Sequence, residues 1–176
     1  MAVARNAASG ARIQAGMYDT AHVPAARALV MGAQALSLAT VDADGRPDAS
    51  YVPFAVIDGR VTIAVSTLAV HARNLAMRPR AGLLFVAAPD TDKNTYSLPR
   101  LMLDAHVERI VSSGKVVTAW DALAARHGET VTVLRTLTDF SIYECEPSAG
   151  RAVLGFAMAY DLDVAALTAS LRGATA

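Results

Sequence analysis

Two glycine-containing turns separate three strand-like segments in the first half of the chain, and they restrict the fold more than any other feature. Asp44-Gly45 and Asp58-Gly59 are dipeptides that tight β-hairpins favour, because both residue types tolerate positive φ angles. The flanking segments are β-branched or alternate apolar with polar residues, and they cover 36–41, 48–57 and 61–65. These hairpins predict an antiparallel sheet. Pro53 indicates an edge or a bulge, since proline cannot donate to a strand ladder.

The remaining segments predict a barrel rather than a parallel sheet. Further strands are expected at 82–87, 100–110, 139–144 and 151–160. Helices are expected at 22–34, 70–78, 115–127 and 163–171. The segment 131–137 fits either a strand or a helix. Short strands joined by hairpins and interrupted by a few helices are typical of an antiparallel barrel with helices at its ends. A strict strand–helix alternation and a G-x-G-x-x-G motif are both missing. The predicted fold class is therefore α+β, mainly β with helices.

Composition excludes several classes of protein. Hydrophobic residues make up 53% of the 176 and charged residues 18%, which predicts a packed globule. A net charge of zero argues against a nucleic-acid partner. Cys145 is the only cysteine and the four histidines lack metal-ligand spacing, so neither a disulfide within the chain nor a metal site is expected. Because no apolar run has the length of a membrane span, we expect a cytoplasmic protein without a membrane partner. Residues 1–16 are expected to form a flexible arm before a single domain at 17–176.

The segment after the third strand is the main candidate for a ligand site. A strand that leads into a helix presents unpaired amide hydrogens and the positive end of the helix dipole at one point. Hydroxyl, imidazole, amide and guanidinium groups surround that point, at Ser66, Thr67, His71, Arg73 and Asn74. They form a candidate phosphate cradle, in which Ser66 and Thr67 are also candidate helix caps. His71 and Asn74 share a helix face from which Arg73 is turned away. The alternative interpretation is an ordinary helix start with a solvated basic face.

Several short sequence motifs, in their order along the chain, resemble those of a known family. They are Leu38-Ala39-Thr40-Val41-Asp42-x-Asp44-Gly45-x-Pro47, Ala49-Ser50-Tyr51-Val52-Pro53-Phe54, His71-Ala72-Arg73-Asn74-Leu75 with Pro79 downstream, and Leu154-Gly155-Phe156-x-x-Ala159-Tyr160. Over about residues 35–162 the chain resembles the FMN-binding split barrels, the relatives of pyridoxamine 5′-phosphate oxidase. The last two phrases look closer to the haem-utilisation branch of that superfamily. The resemblance implies an antiparallel split β-barrel of the FMN-binding type.

The resemblance also implies a homodimer that holds FMN at the subunit interface and acts on a small-molecule substrate as an oxidoreductase. The strand matching Ser50, Tyr51 and Val52 would lie along the flavin ring. The cradle residues would then surround the phosphate, and Arg100 is a candidate for contact with the phosphate or the flavin edge. The sequence does not identify a catalytic acid or base, so the catalytic residues stay unassigned. A haem-binding or haem-utilisation protein without redox catalysis of its own is one alternative, and an F420-dependent reductase is another.

The chain departs from the family pattern at three points. Val70 and His71 stand where the oxidase proper carries an arginine–lysine pair. After Tyr160 only Arg172 is present, whereas the oxidase has an arginine-rich motif there. Haem-degrading members bind iron through a histidine near the C-terminus, and this sequence has none after His127. From these departures we expect no pyridoxamine phosphate oxidation, no haem degradation and at most weak haem binding.

Overall fold

The computed structural model describes residues 20–89 and 94–173, and the expected arm at 1–16 lies outside them. The strands are β1 (Ala35–Val41), β2 (Pro47–Ile57), β3 (Arg60–Ser66), β4 (Arg80–Val86), β5 (Arg100–Arg109), β6 (Phe140–Gly155) and β7 (Met158–Asp161). The α-helices are α1 (Val23–Gly32), α2 (Val70–Met77), α3 (Ser113–His127), α4 (Glu129–Leu134) and α5 (Val164–Leu171), with a short 3-10 helix at Thr95–Ser97.

Six of the strands close into an antiparallel barrel. The order along the sheet is β3-β2-β1-β4-β5-β6-β7, and a further pairing of β3 with β6 closes the ring. Both predicted hairpin turns are present, with Asp58 at φ 50° and Gly59 at φ 85° in the second. The predicted α+β class and split-barrel architecture are thus confirmed.

The split lies between β2 and β3. These strands pair only between Phe54–Ile57 and the facing part of β3, so the first half of β2 has a free edge on that side. Pro53 is the last residue before this pairing begins, which agrees with its predicted edge position. Helix α2 follows the turn at 67–69 and packs against β1 and β2. Its Ala72 and Leu75 are buried in the main core, so the helix covers one end of the barrel.

Two hydrophobic clusters stabilise the domain. The main cluster fills the barrel with alternate side chains of the strands, and Phe54 and Phe85 meet edge to face at 5.3 Å between ring centroids. A smaller cluster joins α3 and α4 to the outside of β2 and β6 through Ala55, Trp120, Leu123, Val131 and Ile142. Trp120 is therefore a packing residue.

The structure differs from the predicted elements in the last third of the chain. The segments 139–144 and 151–160 are not two separate strands, because β6 runs unbroken through 140–155 and pairs with β3, β5 and β7 in turn. The ambiguous segment 131–137 includes the end of α4. Asp163 caps α5 as predicted, since its carboxylate accepts hydrogen bonds from the amides of Ala165 and Ala166. None of the helices among the described residues is long and apolar enough to cross a membrane.

Candidate functional site

The turn between β3 and α2 is built differently from the predicted cradle. The Ser66 hydroxyl donates to the Asp139 carboxylate at 2.5 Å and accepts from the Leu68 amide at 3.1 Å. The Thr67 amide donates to the Asp139 carbonyl at 2.7 Å. The N-cap of α2 is Ala69, which makes no side-chain capping bond. The expectation that Ser66 and Thr67 cap the helix is therefore wrong, because the turn is longer and the Ser66 hydroxyl is already bonded within it.

One face of α2 attaches the helix to the barrel. Asn74 is 5% exposed, and its side-chain amide donates to the Thr40 hydroxyl on β1 at 3.0 Å. The Thr40 hydroxyl in turn lies 3.5 Å from the Asp48 carboxylate on β2. His71 lies half-buried on the same side, where desolvation lowers its pKa and the negative charge of Asp48 partly opposes that shift. The side chains of Asn74, Thr40 and Asp48 thus form a chain of polar contacts at the barrel end.

The opposite face of α2 borders a groove. Arg73 is exposed there and donates from Nη1 to the Leu68 carbonyl at 2.9 Å. The prediction that Arg73 points away from His71 and Asn74 is thus confirmed. A main-chain hydrogen bond from the Val107 amide to the Pro79 carbonyl, 2.9 Å long, joins the end of this segment to β5. The space between α2 and β5 is the α2–β5 groove, which has a volume of about 570 Å³.

The lining of the α2–β5 groove combines largely buried apolar residues with exposed polar groups. Its apolar lining includes Ala72, Leu75, Ala76, Pro79 and Val107. Its polar lining consists of Thr67, Arg73, His106, Glu108, Arg109 and Tyr143. Two guanidinium groups face one carboxylate, so the groove has an excess of positive charge. Ligand pockets of this size and mixed character suit a small organic anion.

Several of these polar groups are free to bind a ligand. Within residues 20–89 and 94–173, the side chains of Thr67, His106 and Arg109 have no hydrogen-bond or ion-pair partner. Arg73 uses one of its nitrogens on Leu68 and keeps the others. The side chains of Thr67, His106 and Arg109 are exposed, so water hydrates their polar groups and a ligand could replace that water.

A second candidate surface is the outer face of the sheet. Five neighbouring strands each contribute one residue to a row that runs across the sheet. In the order β2, β1, β4, β5 and β6, these residues are Tyr51, Ser37, Leu84, Met102 and Arg151. The neighbouring row across the first four of these strands is Ala49, Ala39, Gly82 and Asp104. We call these two rows the outer platform. Tyr51 is 74% exposed, and small residues flatten the surface beside it.

The nine predicted cofactor-binding residues do not form one site within the chain. Ser50 and Val52 point toward the barrel interior, where Val52 is 3% exposed and the Ser50 hydroxyl donates to the Leu38 carbonyl at 3.4 Å. Tyr51 belongs to the outer platform. Arg100 opens β5, at the end opposite the α2–β5 groove, and donates to the Leu98 carbonyl at 3.2 Å. The cradle residues divide between the two faces of α2 and the turn before it.

Sequence reasoning missed two groups of the groove, Arg109 and Tyr143. No local signal connects the end of β5 with α2, because their contact depends on barrel closure. Among the described residues, no cluster of three or more histidine, cysteine or acidic side chains could hold a metal ion.

Similar proteins give this geometry a context. A model of the pyridoxamine 5′-phosphate oxidase family matches residues 23–154. The haem oxygenase HutZ of Vibrio cholerae is 33% identical over 131 residues, which are 72% of this chain and 73% of HutZ. A solved structure described as HutZ, the haem storage protein of the same organism, covers 75% of this chain and 92% of its own, with 28% identity and a TM-score of 0.65.

A further solved structure is a haem-binding protein from Mycobacterium smegmatis. It covers 87% of this chain with a TM-score of 0.77 and 25% identity. The chain spans only 62% of that protein's length. The family match extends over most of the barrel, from α1 to the end of β6. By sequence and by fold, this chain belongs to the pyridoxamine 5′-phosphate oxidase family.

Proposed function

We propose that this protein binds haem and serves in haem utilisation. The observation that carries the proposal is its 33% identity to HutZ over 72% of the chain. HutZ is described once as a haem oxygenase and once as a haem storage protein, and the Mycobacterium smegmatis structure as a haem-binding protein. Haem binding is common to these descriptions, whereas catalysis is not, so binding is the function we transfer.

The exposed cations of the α2–β5 groove suit one part of the haem molecule. The porphyrin ring is flat and apolar, and its two propionates are anions. The groove offers exposed guanidinium groups from Arg73 and Arg109 to the propionates, whereas its apolar lining residues Leu75 and Val107 are only 3% and 2% exposed. Guanidinium–carboxylate pairs are among the stronger charge-assisted hydrogen bonds. When bound, haem supplies an iron centre that accepts axial ligands.

An FMN-dependent oxidoreductase is supported less well. The Ser66 hydroxyl, predicted to bind the phosphate, instead contacts the Asp139 carboxylate, which places negative charge beside the proposed phosphate position. The Asn74 amide, predicted for the same role, is buried against Thr40. These contacts leave fewer free donors for a phosphate in the turn. FMN and F420 therefore enter the experiment as competing ligands.

The outer platform supports a homodimer as the assembled form. Its rows consist largely of apolar and small side chains, with Leu84 and Met102 at the centre. An apolar face of this kind is commonly buried against a second subunit. The groove lies next to the platform, because the residue pair Arg80–His106 follows the pair Gly82–Asp104 along β4 and β5. A partner subunit on the platform would therefore approach one margin of the groove.

The test is a parallel titration of the purified full chain with hemin, FMN and F420. Absorbance follows the Soret band of haem, and fluorescence follows the two flavin-type ligands. We expect a saturable Soret band near one haem per chain, with weaker binding of FMN and F420. Tight FMN binding without a hemin-dependent Soret shift would refute the proposal and restore the flavoprotein interpretation.

A further inference from the structure

A second groove lies at the other end of the barrel, where α1 leads into β1 and β4 ends. It has two parts, with volumes of about 540 and 390 Å³, that share five lining residues: Gly32, Ala33, Val86, Ala87 and Ala88. We call both parts together the α1–β4 groove. None of the described residues that line it is buried, so its side chains are accessible to a ligand.

The α1–β4 groove offers the exposed apolar surface that the α2–β5 groove lacks. Val86 is 42% exposed, and Leu84 and Leu98 are partly exposed in the same groove. The shared glycine and alanines are too small to keep a flat ligand away from the surface. A porphyrin ring placed here would remove its own apolar area and that of the groove from water, which is the main source of affinity in such pockets.

Tyr51 and Arg100 stand on the face of the sheet that carries this groove. Tyr51, Ser37 and Leu84 are in register across β2, β1 and β4, and all three line the groove. Val86, two positions beyond Leu84 on β4, points to the same face and pairs with Arg100 on β5. A phenol and a guanidinium group therefore border one continuous apolar surface.

These two polar side chains have the chemistry that haem requires at its iron and at its propionates. The described lining of the groove includes no histidine. Tyr51 is largely exposed, and its hydroxyl makes no hydrogen bond within the part of the chain that the structure describes. Arg100 donates from Nη1 to the Leu98 carbonyl at 3.2 Å and keeps its other nitrogens for an anion. Tyr51 is thus the oxygen donor best placed for an iron atom in this groove.

We propose that Tyr51 is the axial ligand of ferric haem in the α1–β4 groove and that Arg100 pairs with a propionate. This assignment rests on the proposed haem binding. Tyrosine is an established axial ligand of haem iron. The phenol releases its proton to solvent when its oxygen binds the ferric ion. Because Tyr51 also belongs to the outer platform, a partner subunit on the platform would shield the ligand from water.

The iron ligand is tested by hemin titration of the full chain, followed by absorbance and electron paramagnetic resonance. The wild type should give a saturable Soret band and a high-spin ferric signal. Tyr51→Phe removes only the oxygen, and it should shift the Soret band, change the ferric signal and weaken hemin about tenfold or more. Tyr96→Phe, at an exposed tyrosine outside the groove, is the matched control and should keep the wild-type spectrum. Circular dichroism confirms that each variant is folded.

The position of the propionates is tested with three arginine variants. Arg100→Gln should weaken hemin about tenfold without moving the Soret band, because Arg100 contacts a propionate and not the iron. Arg73→Gln, in the α2–β5 groove, and Arg135→Gln, at an arginine paired with Asp121 on the α3–α4 surface, should both bind as the wild type does. Weaker binding by Arg73→Gln together with normal binding by Arg100→Gln would overturn this placement.

The ligand assignment and the proposed function fail in different ways. If the wild type binds no hemin, the proposed function itself fails. If the wild type binds hemin but Tyr51→Phe gives the same spectrum and affinity, only the assignment of Tyr51 is overturned.

Discussion

The buried side-chain amide of Asn74 donates a hydrogen bond of 3.0 Å to the Thr40 hydroxyl, and this contact joins α2 to β1. Sequence reasoning placed Asn74 in a phosphate cradle, whereas its donor is used inside the protein. We predict that Asn74→Ala lowers the free energy of unfolding by about 1–3 kcal/mol, because the Thr40 hydroxyl loses a buried partner. Urea denaturation measures this. Thr132→Ala, at an exposed position of α4, is the control and should change stability little. If Asn74→Ala had normal stability but lost anion binding, Asn74 would be a phosphate ligand as the sequence predicted.

The outer platform predicts the oligomeric state. Light scattering at micromolar concentration should give a dimer for the wild type. Leu84→Glu should give a folded monomer, since a charge at the centre of the platform cannot be buried without a partner. Val133→Glu carries the same change at a 62% exposed apolar residue on α4 and should leave the dimer intact. A wild-type monomer, or a dimer that survives Leu84→Glu, would rule out this interface.

His71 predicts one component of the pH dependence of stability. Burial lowers its pKa below the ordinary 6.5, despite the opposing effect of Asp48. The folded state therefore binds this proton less readily than the unfolded state. The resulting stability is present above pH 6.5 and is lost as the pH falls through the lowered folded pKa. Between pH 7.5 and 5.5, His71→Gln should lose less stability than the wild type in urea titrations. Equal losses would mean that His71 is solvated like a free imidazole.

Cys145 is predicted to be inert in the folded protein. Complete burial raises the pKa of its thiol to about 12, and the charge of Glu144 adds to that shift. Thiolate is the reactive form, so a disulfide-exchange reagent at pH 8 should label the native protein only very slowly. In denaturant, one thiol per chain should react at once. Rapid labelling of the native state would show that the interior between β5 and β6 opens readily.

Haem degradation is a separate question from haem binding. The resemblance described above implies an iron ligand from a histidine near the C-terminus, and the sequence has no histidine after His127. We predict that ascorbate added to the haem-loaded protein reduces the iron and shifts the Soret band without bleaching it. Bleaching of that band with release of iron would make the protein a haem oxygenase like the one with which it shares 33% identity.

The sequence by itself determined the local elements and the class of fold. The Asp58-Gly59 turn was predictable because positive φ angles are a property of the turn residues themselves. The Asp163 cap was equally predictable, since its carboxylate reaches amides only two and three positions ahead. The direction of Arg73 away from His71 and Asn74 followed from helical periodicity alone. Each of these features depends on neighbours along the chain.

Only the tertiary structure decided how those elements combine into a site. Asp139 approaches Ser66 because β6 pairs with β3, and that pairing removed a predicted cap and a predicted phosphate ligand. Arg109 and His106 join Arg73 because β5 and α2 meet across the closed barrel. Gly59 adopts the positive φ angle that its turn requires. A side chain there would also meet the Thr168 carbonyl of α5 at 2.3 Å, and the turn alone does not reveal this restriction. Contacts between residues distant in sequence depend on how the whole core packs, and periodicity or turn chemistry within one segment carries no information about them.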